Sequence, residues 1–259
     1  MGELVLSARG LRKSFGGRPA VDGVDLTVAA GERVGLLGAN GAGKTTTLLM
    51  CLGAITPDAG DIEILGYRLP SGRSAAMAGV GFAAGYLPLP EKLRVREVLT
   101  MFAELYGVAD TRHAVESGLD RFRIRHLADA MGTELSSGQR TLVGIVRATA
   151  HHPRLLILDE PTASLDPDVA LRVRVGLEQL CHEEGLALLV TSHNMSEVER
   201  LCERVLFMKA GRIILAGTPS EVAARSGHDS LEDVFLELYG APGDSRPPGI
   251  DEHEEPRPA

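Results

Sequence analysis

The chain has 259 residues, a formal net charge of −8 and 44% apolar residues, enough to bury the core of one large α/β domain or two small ones. The acidic balance argues against broad nucleic-acid binding, and no apolar run approaches the roughly 18 residues of a membrane-spanning helix. Cys51, Cys181 and Cys202 stand far apart with no C-x-x-C pair, which fits core packing in a reducing compartment better than disulfides or zinc. The N-terminal stretch lacks a signal-peptide core, and after Met1-Gly2 the residue Leu6 stands where myristoylation needs Ser or Thr. The eight histidines show no ligand spacing, and His151-His152 reads as a helix end before Pro153, where partial positive charge is favourable.

Taken in chain order, residues 4–32 alternate apolar and polar around Gly16-Gly17 and Asp22-Gly23, a pattern of antiparallel strands. A short apolar strand at 33–37 then runs into Gly38-Ala39-Asn40-Gly41-Ala42-Gly43-Lys44-Thr45. This fits G-x-x-x-x-G-K-[ST], and a helix opens at Lys44 behind it. Glycines let such a loop curl until successive backbone N–H groups point inward at an anion, and the helix N-terminus adds partial positive charge. The expected nucleotide cradle is Gly38, Asn40, Gly41, Ala42, Gly43, Lys44, Thr45 and Thr46, with Lys44 reaching the β/γ-phosphates and Thr45 ligating Mg²⁺. After a turn at 56–60, residues 61–65 read as a strand. From about 92 to 152 the pattern becomes helical, with Val95, Val98, Leu99, Phe102 and Leu105 at helix spacing. Strand 154–158 ends in Asp159-Glu160, a helix opens at Pro167 and stops at Gly185, and strand 186–191 precedes His193. Residues 205–209 and 212–216 read as a hairpin across Ala210-Gly211, and Ser230-Leu231-Glu232-Asp233 as a capping box opening a last helix. Residues 241–259 are Pro-, Gly- and acid-rich without apolar periodicity, a composition expected to be disordered.

Leu135-Ser136-Ser137-Gly138-Gln139 lies between the phosphate loop and the Asp159-Glu160 strand, and His193 follows both. In this order the segments resemble the nucleotide-binding subunit of an ATP-binding cassette transporter, from about residue 4 to residue 240. The Leu-Ser-x-Gly-Gln element separates cassettes from other phosphate-loop ATPases. The resemblance implies an α/β phosphate-loop NTPase core with an N-terminal antiparallel β subdomain and an inserted helical subdomain, one cassette over 1–240. The short spacing between loop and signature, without sustained heptads, sets the chain apart from chromosome-maintenance ATPases.

The resemblance also implies roles. ATP and Mg²⁺ are the expected ligands, with Thr45 and Asp159 at the metal, Asp159 through water. Glu160, one residue on and expected on the other strand face, is the candidate general base; His193 contacts the γ-phosphate, and Lys44 completes the catalytic set. Phe15 is expected to stack on adenine. Leu135, Ser136, Ser137, Gly138 and Gln139 would reach the γ-phosphate held by a second cassette, and Ser164, Leu165 and Asp166 would link the two sites, with Asp166 also capping the next helix. The partners are a second cassette and an integral membrane permease docked near 85–96, around Tyr86-Leu87-Pro88-Leu89-Pro90, so the chain is expected on the cytoplasmic face of the cell membrane. The 230–239 segment resembles the Leu-Glu-Asp-Val-Phe endings of exporters. Two departures stand out: Ser137 replaces the first signature glycine, and Ala83 or Ala84 occupies the place of a glutamine ligand to Mg²⁺, which methyl groups cannot replace. The alternatives are a cassette without a transport role, acting in translation or iron–sulfur assembly, and a phosphate-loop kinase, against which the signature argues.

Overall fold

The computed structural model describes residues 2–85, 87–162 and 165–240, and every element below belongs to them. Strands β1 (Leu4–Phe15) and β2 (Arg18–Ala29) reverse at Gly16-Gly17, as the sequence implies. Asp22-Gly23 is not a second turn. Leu11 pairs with Val24 and Arg12 with Asp22, so Gly23 is an extra residue bulging inside β2. Bulges and turns draw on the same small and polar residues, and only the partner strand distinguishes them.

Next come β3 (Arg33–Leu37), α1 (Lys44–Cys51), β4 (Ala59–Ile64), β5 (Tyr67–Arg68), α2 (Arg73–Met77) and β6 (Val80–Ala84). The helical segment holds α3 (Val95–Leu105), α4 (Thr111–Arg121) and α5 (Ser137–Thr149), and enters between β6 and β7 (Leu155–Asp159). The chain continues through α6 (Pro167–Glu184), β8 (Ala187–Ser192), α7 (Met195–Leu201), β9 (Arg204–Lys209), β10 (Arg212–Gly217), α8 (Pro219–Arg225) and α9 (Leu231–Tyr239). Pro167 opens α6 and Gly185 closes it at φ 65°, as expected, whereas Asp166 occupies the cap position without a side-chain cap hydrogen bond. Ser230 caps α9 by accepting from the Asp233 N–H.

Among the described residues the strands form an antiparallel sheet, β2-β1-β4-β5, and a larger sheet, β10-β9-β3-β8-β7-β6, parallel except for edge strand β10. The parallel strands are apolar on both faces because both faces are covered. Val34, Leu36, Ile157 and Leu189 pack towards the antiparallel sheet and α1. Leu37, Leu158, Leu188 and Val190 pack with the residues of α3, α5 and α6. Register then sets the site: Leu37 pairs with Ser192, and Asp159 with both Thr191 and Ala84. The carboxyl ends of β3, β6, β7 and β8 therefore meet along one edge, the place where open α/β sheets bind ligands.

All three cysteines are buried free thiols, and burial pushes Cys51 and Cys202 up to about 12 and Cys181 to about 11. They are packing residues. His151 departs from its expected role as a charged helix end. Its ring stacks on Tyr106 with centroids 3.9 Å apart, and burial pulls its pKa below the ordinary histidine value. His152 instead stands beside Glu184, Nδ1 to Oε2 2.9 Å.

Candidate active site

The phosphate loop is closely held from behind. A side chain at Gly38 would collide with the Met208 carbonyl, and one at Gly43, at φ 108°, with the Ala20 carbonyl. These positions need glycine for space as well as for backbone freedom. Asn40 and Gly41 form the exposed crown, Ala42 is buried beneath them, and Gly43 leads directly into α1. Thr45 is exposed at the opening of that helix and Thr46 half-buried.

Lys44 is only 6% exposed. Its ammonium folds back on its own loop, donating to Gly38 O at 2.7 Å and Ala39 O at 3.2 Å, and lies 3.8 Å from Glu160 Oε1. Burial lowers its pKa from the ordinary lysine value, and the facing carboxylates Glu160 and Asp159 raise it in part. The cation thus occupies the curl of the loop.

Asp159, at the end of β7, is reached by two hydroxyls. Thr45 Oγ1 donates to Oδ2 at 3.1 Å and Thr191 Oγ1 donates to Oδ1 at 2.6 Å. Thr45 and Asp159 are therefore a converging pair of hard oxygen donors, a fit for Mg²⁺. Among the described residues no group of three or more His, Cys, Asp and Glu is placed to hold a metal. A cation held here would complete its shell with phosphate oxygens and water, the usual habit of Mg²⁺.

Glu160 corrects the strand reading. Simple alternation aims it away from Asp159, yet the two line the same cleft, which has a volume of about 600 Å³. The strand has ended: Glu160 adopts φ 49°, in the left-handed region that non-glycine residues seldom enter. Its N–H is shared between Thr191 O at 3.2 Å and Thr191 Oγ1 at 3.0 Å. Its carboxylate then points at Lys44 through Oε1 and at His193 Nδ1 through Oε2, 3.1 Å away. Such a conformation costs about 1–3 kcal/mol and persists where the surroundings over-determine it. Thr191 is the residue sequence reasoning missed. Fully buried, its one hydroxyl donates to Asp159 and accepts from Glu160. A threonine at the end of an apolar strand, beside two carboxylates on the neighbouring strand, is the signal that could have found it.

The signature segment is a capped helix start. Ser136 Oγ accepts from Gln139 N–H at 3.2 Å, and Gln139 Oε1 accepts from Ser136 N–H at 2.9 Å. Leu135 is buried and anchors the cap, Ser136 and Ser137 are exposed, and Gly138 packs close to Leu165. Among the described residues no hydrogen bond or ion pair joins this segment to the phosphate loop of the same chain. Leu165 and Asp166 precede α6, while Ser164 and Tyr86 lie outside the described residues, as does the 241–259 tail. Phe15 ends β1, 51% exposed, with Lys13 Nζ 5.7 Å from its ring centroid.

Of the two alanines, Ala83 is buried in the core, so it cannot stand in for a metal ligand. Ala84, paired with Asp159, lines the cleft with Thr45 and Glu160, and so does Gly85, the first residue beyond the strand. A side chain at Gly85 would meet open space.

Residues 21–163 match the family model described as ABC transporter. The chain is 40% identical over 235 residues to Nod factor export ATP-binding protein I of Paraburkholderia xenovorans (strain LB400), covering 90% of this chain and 77% of that protein. It is 37% identical over 228 residues to the lipopolysaccharide export system ATP-binding protein LptB of Escherichia coli (strain K12), covering 84% and 92%. A solved structure described as the ATP binding subunit of an ABC transporter superposes with a TM-score of 0.81 at 29% identity, covering 90% of this chain and 99% of that one. The chain therefore belongs to the ABC transporter family, as an ATP-binding, ATP-hydrolysing subunit.

Proposed function

We propose that this ATPase powers export through a separate membrane permease, with Mg-ATP bound between two cassettes. The observation that carries the reading is the close similarity, along nearly the whole chain, to relatives whose names give export as their role. Among the described residues no helix is long and apolar enough to cross a membrane. The 85–96 segment supports a docking role. Leu87 is half-buried and Pro88 exposed at the rim of the same cleft that holds Thr45 and Glu160, so a bound partner would adjoin the reacting phosphate. In this reading the chain works at the cytoplasmic face of the membrane, carried there by its permease. The test is recovery of the tagged full chain from its native membranes. A polytopic membrane protein should co-purify, and exclusively soluble recovery with no such partner would favour a cassette outside transport.

In this reading Lys44 and the loop N–H groups hold the phosphates, Glu160 takes the proton of the attacking water, and His193, beside Glu160, contacts the γ-phosphate. Thr45, and Asp159 through water, would hold Mg²⁺, whose charge would offset that of the β/γ-phosphates. Ser136 and Gly138 present the N-terminus of α5 to the γ-phosphate of the other cassette. The Glu160→Gln chain should therefore be monomeric without nucleotide and dimeric with Mg-ATP, read by sedimentation velocity. A monomer that demonstrably binds ATP would count against the shared site.

The glutamine position yields a second expectation. Ala84 and Gly85 offer the cleft no side-chain oxygen, so neither would supply a ligand to a metal held by Thr45 and Asp159. Ala84→Gln or Gly85→Gln should lower the Mg²⁺ concentration for half-maximal hydrolysis severalfold, somewhat less than the roughly 10- to 100-fold scale of outer-shell effects on metal sites. Ala83→Gln should instead lower stability, because it buries an amide in the core. Coincident Mg²⁺ curves for the parent and both cleft variants would show that neither position reaches the metal.

A further inference from the structure

The C-terminal helix reaches the phosphate loop through one carbonyl group. Tyr239, in the last turn of α9, donates its hydroxyl proton to Met208 O at 2.9 Å. The same carbonyl is the atom against which Gly38 packs too closely to tolerate a side chain. The fully buried Met208 side chain also lies behind the loop: a Cβ at Gly43 would come within 2.7 Å of its methyl group, and Thr47 Oγ1 is 3.8 Å from its sulfur.

The neighbours of Met208 strengthen the arrangement. Lys209 Nζ donates to Leu238 O at 2.7 Å and lies 5.8 Å from the Tyr239 ring centroid. Phe235, one turn earlier on the same face of α9, packs against the Tyr239 ring, centroids 4.6 Å apart. Just beyond, in the β9–β10 turn, Gly211 N–H donates to Ala42 O at 2.9 Å, and Gly211 O accepts from Asp22 N–H at 2.8 Å. The loop that receives phosphate is thus held from behind by the end of β9, and the end of β9 is held by α9. Burial pushes the Tyr239 hydroxyl up to about 12, so it keeps its proton and stays a donor at working pH.

We propose that Tyr239 is a positioning residue for the phosphate loop, and that α9 sets ATP affinity through Met208. A helix whose task is only to close the core would affect stability and leave affinity untouched. A helix that fixes the carbonyl behind Gly38 affects the geometry in which loop N–H groups meet phosphate, which is a binding property.

Tyr239→Phe in the full chain separates the two, because it removes the hydroxyl and keeps the ring against Phe235 and Lys209. The dissociation constant for a fluorescent ATP analogue and the KM for ATP should both rise about threefold to fivefold, the scale of one hydrogen bond, with kcat close to the parent. Leu119→Ala in α4 is the comparison: it hollows the core without touching Tyr239 or Met208 O, and should lower Tm while leaving affinity at the parent value. Parent-like affinity in Tyr239→Phe would overturn the proposal. So would equal losses of affinity in both variants that follow their losses of Tm, since the helix would then be acting through stability alone.

Discussion

Glu160→Gln should reduce ATP turnover by about 10²- to 10⁴-fold, the usual contribution of a general base, while ATP binding stays intact. The carboxylate is held in place for this role. Its left-handed backbone and the shared Thr191 acceptors aim one oxygen at His193 and the other at Lys44. A glutamine amide is the same size and keeps the contact with His193, so the geometry survives and only proton acceptance is lost. Binding should be equal or tighter, because the substitution removes a negative charge that faces Lys44 and would face the γ-phosphate. Single-turnover hydrolysis and equilibrium binding, measured on the same preparation, separate the two effects. Turnover at the parent rate would take Glu160 out of the base role, and loss of binding would make it a structural partner of Lys44 instead.

What could be seen in the sequence divides by the range over which the chemistry acts. Strand β3, the phosphate loop and α1 were legible because a glycine pattern, a lysine and a helix start lie within one short stretch. Helix α6 was legible between Pro167 and Gly185 for the same reason, and the β9–β10 hairpin from its Ala210-Gly211 turn. The misses need a partner strand. Gly23 bulges instead of turning because Leu11 and Arg12 pair past it. Ala83 was no better or worse than Ala84 until β6 paired with β7 and sent Ala83 into the core. Period-two alternation misplaces Glu160, because it fails where the strand stops and the backbone enters φ 49°. Thr191 and Tyr239 act on residues 32 and 31 positions away, a separation at which no local pattern operates.

Lys44→Ala should weaken ATP binding by roughly tenfold to a hundredfold, as expected for deleting a charged hydrogen-bonding group from a buried site. The deletion acts twice. It removes the ammonium that would meet the β/γ-phosphates, and it frees the Gly38 and Ala39 carbonyls that the ammonium holds in the structure. The second effect can change the stability of the nucleotide-free chain, so Tm alone does not report binding. The shift in Tm on adding nucleotide does, because each protein serves as its own reference. At an ATP concentration about 100 times the parent dissociation constant, ligand linkage stabilises the parent by about 2.7 kcal/mol. For a domain of this size that corresponds to a rise of about 5–10 °C. A variant binding a hundredfold more weakly keeps only about 0.4 kcal/mol of that stabilisation at the same concentration, a rise of about 1 °C. Differential scanning fluorimetry of parent and Lys44→Ala, each with and without Mg-ATP, makes the comparison. Equal rises in the two proteins would mean that the phosphates do not lie in the curl of this loop, and the assignments of Thr45, Asp159 and Glu160, which depend on it, would fall with Lys44.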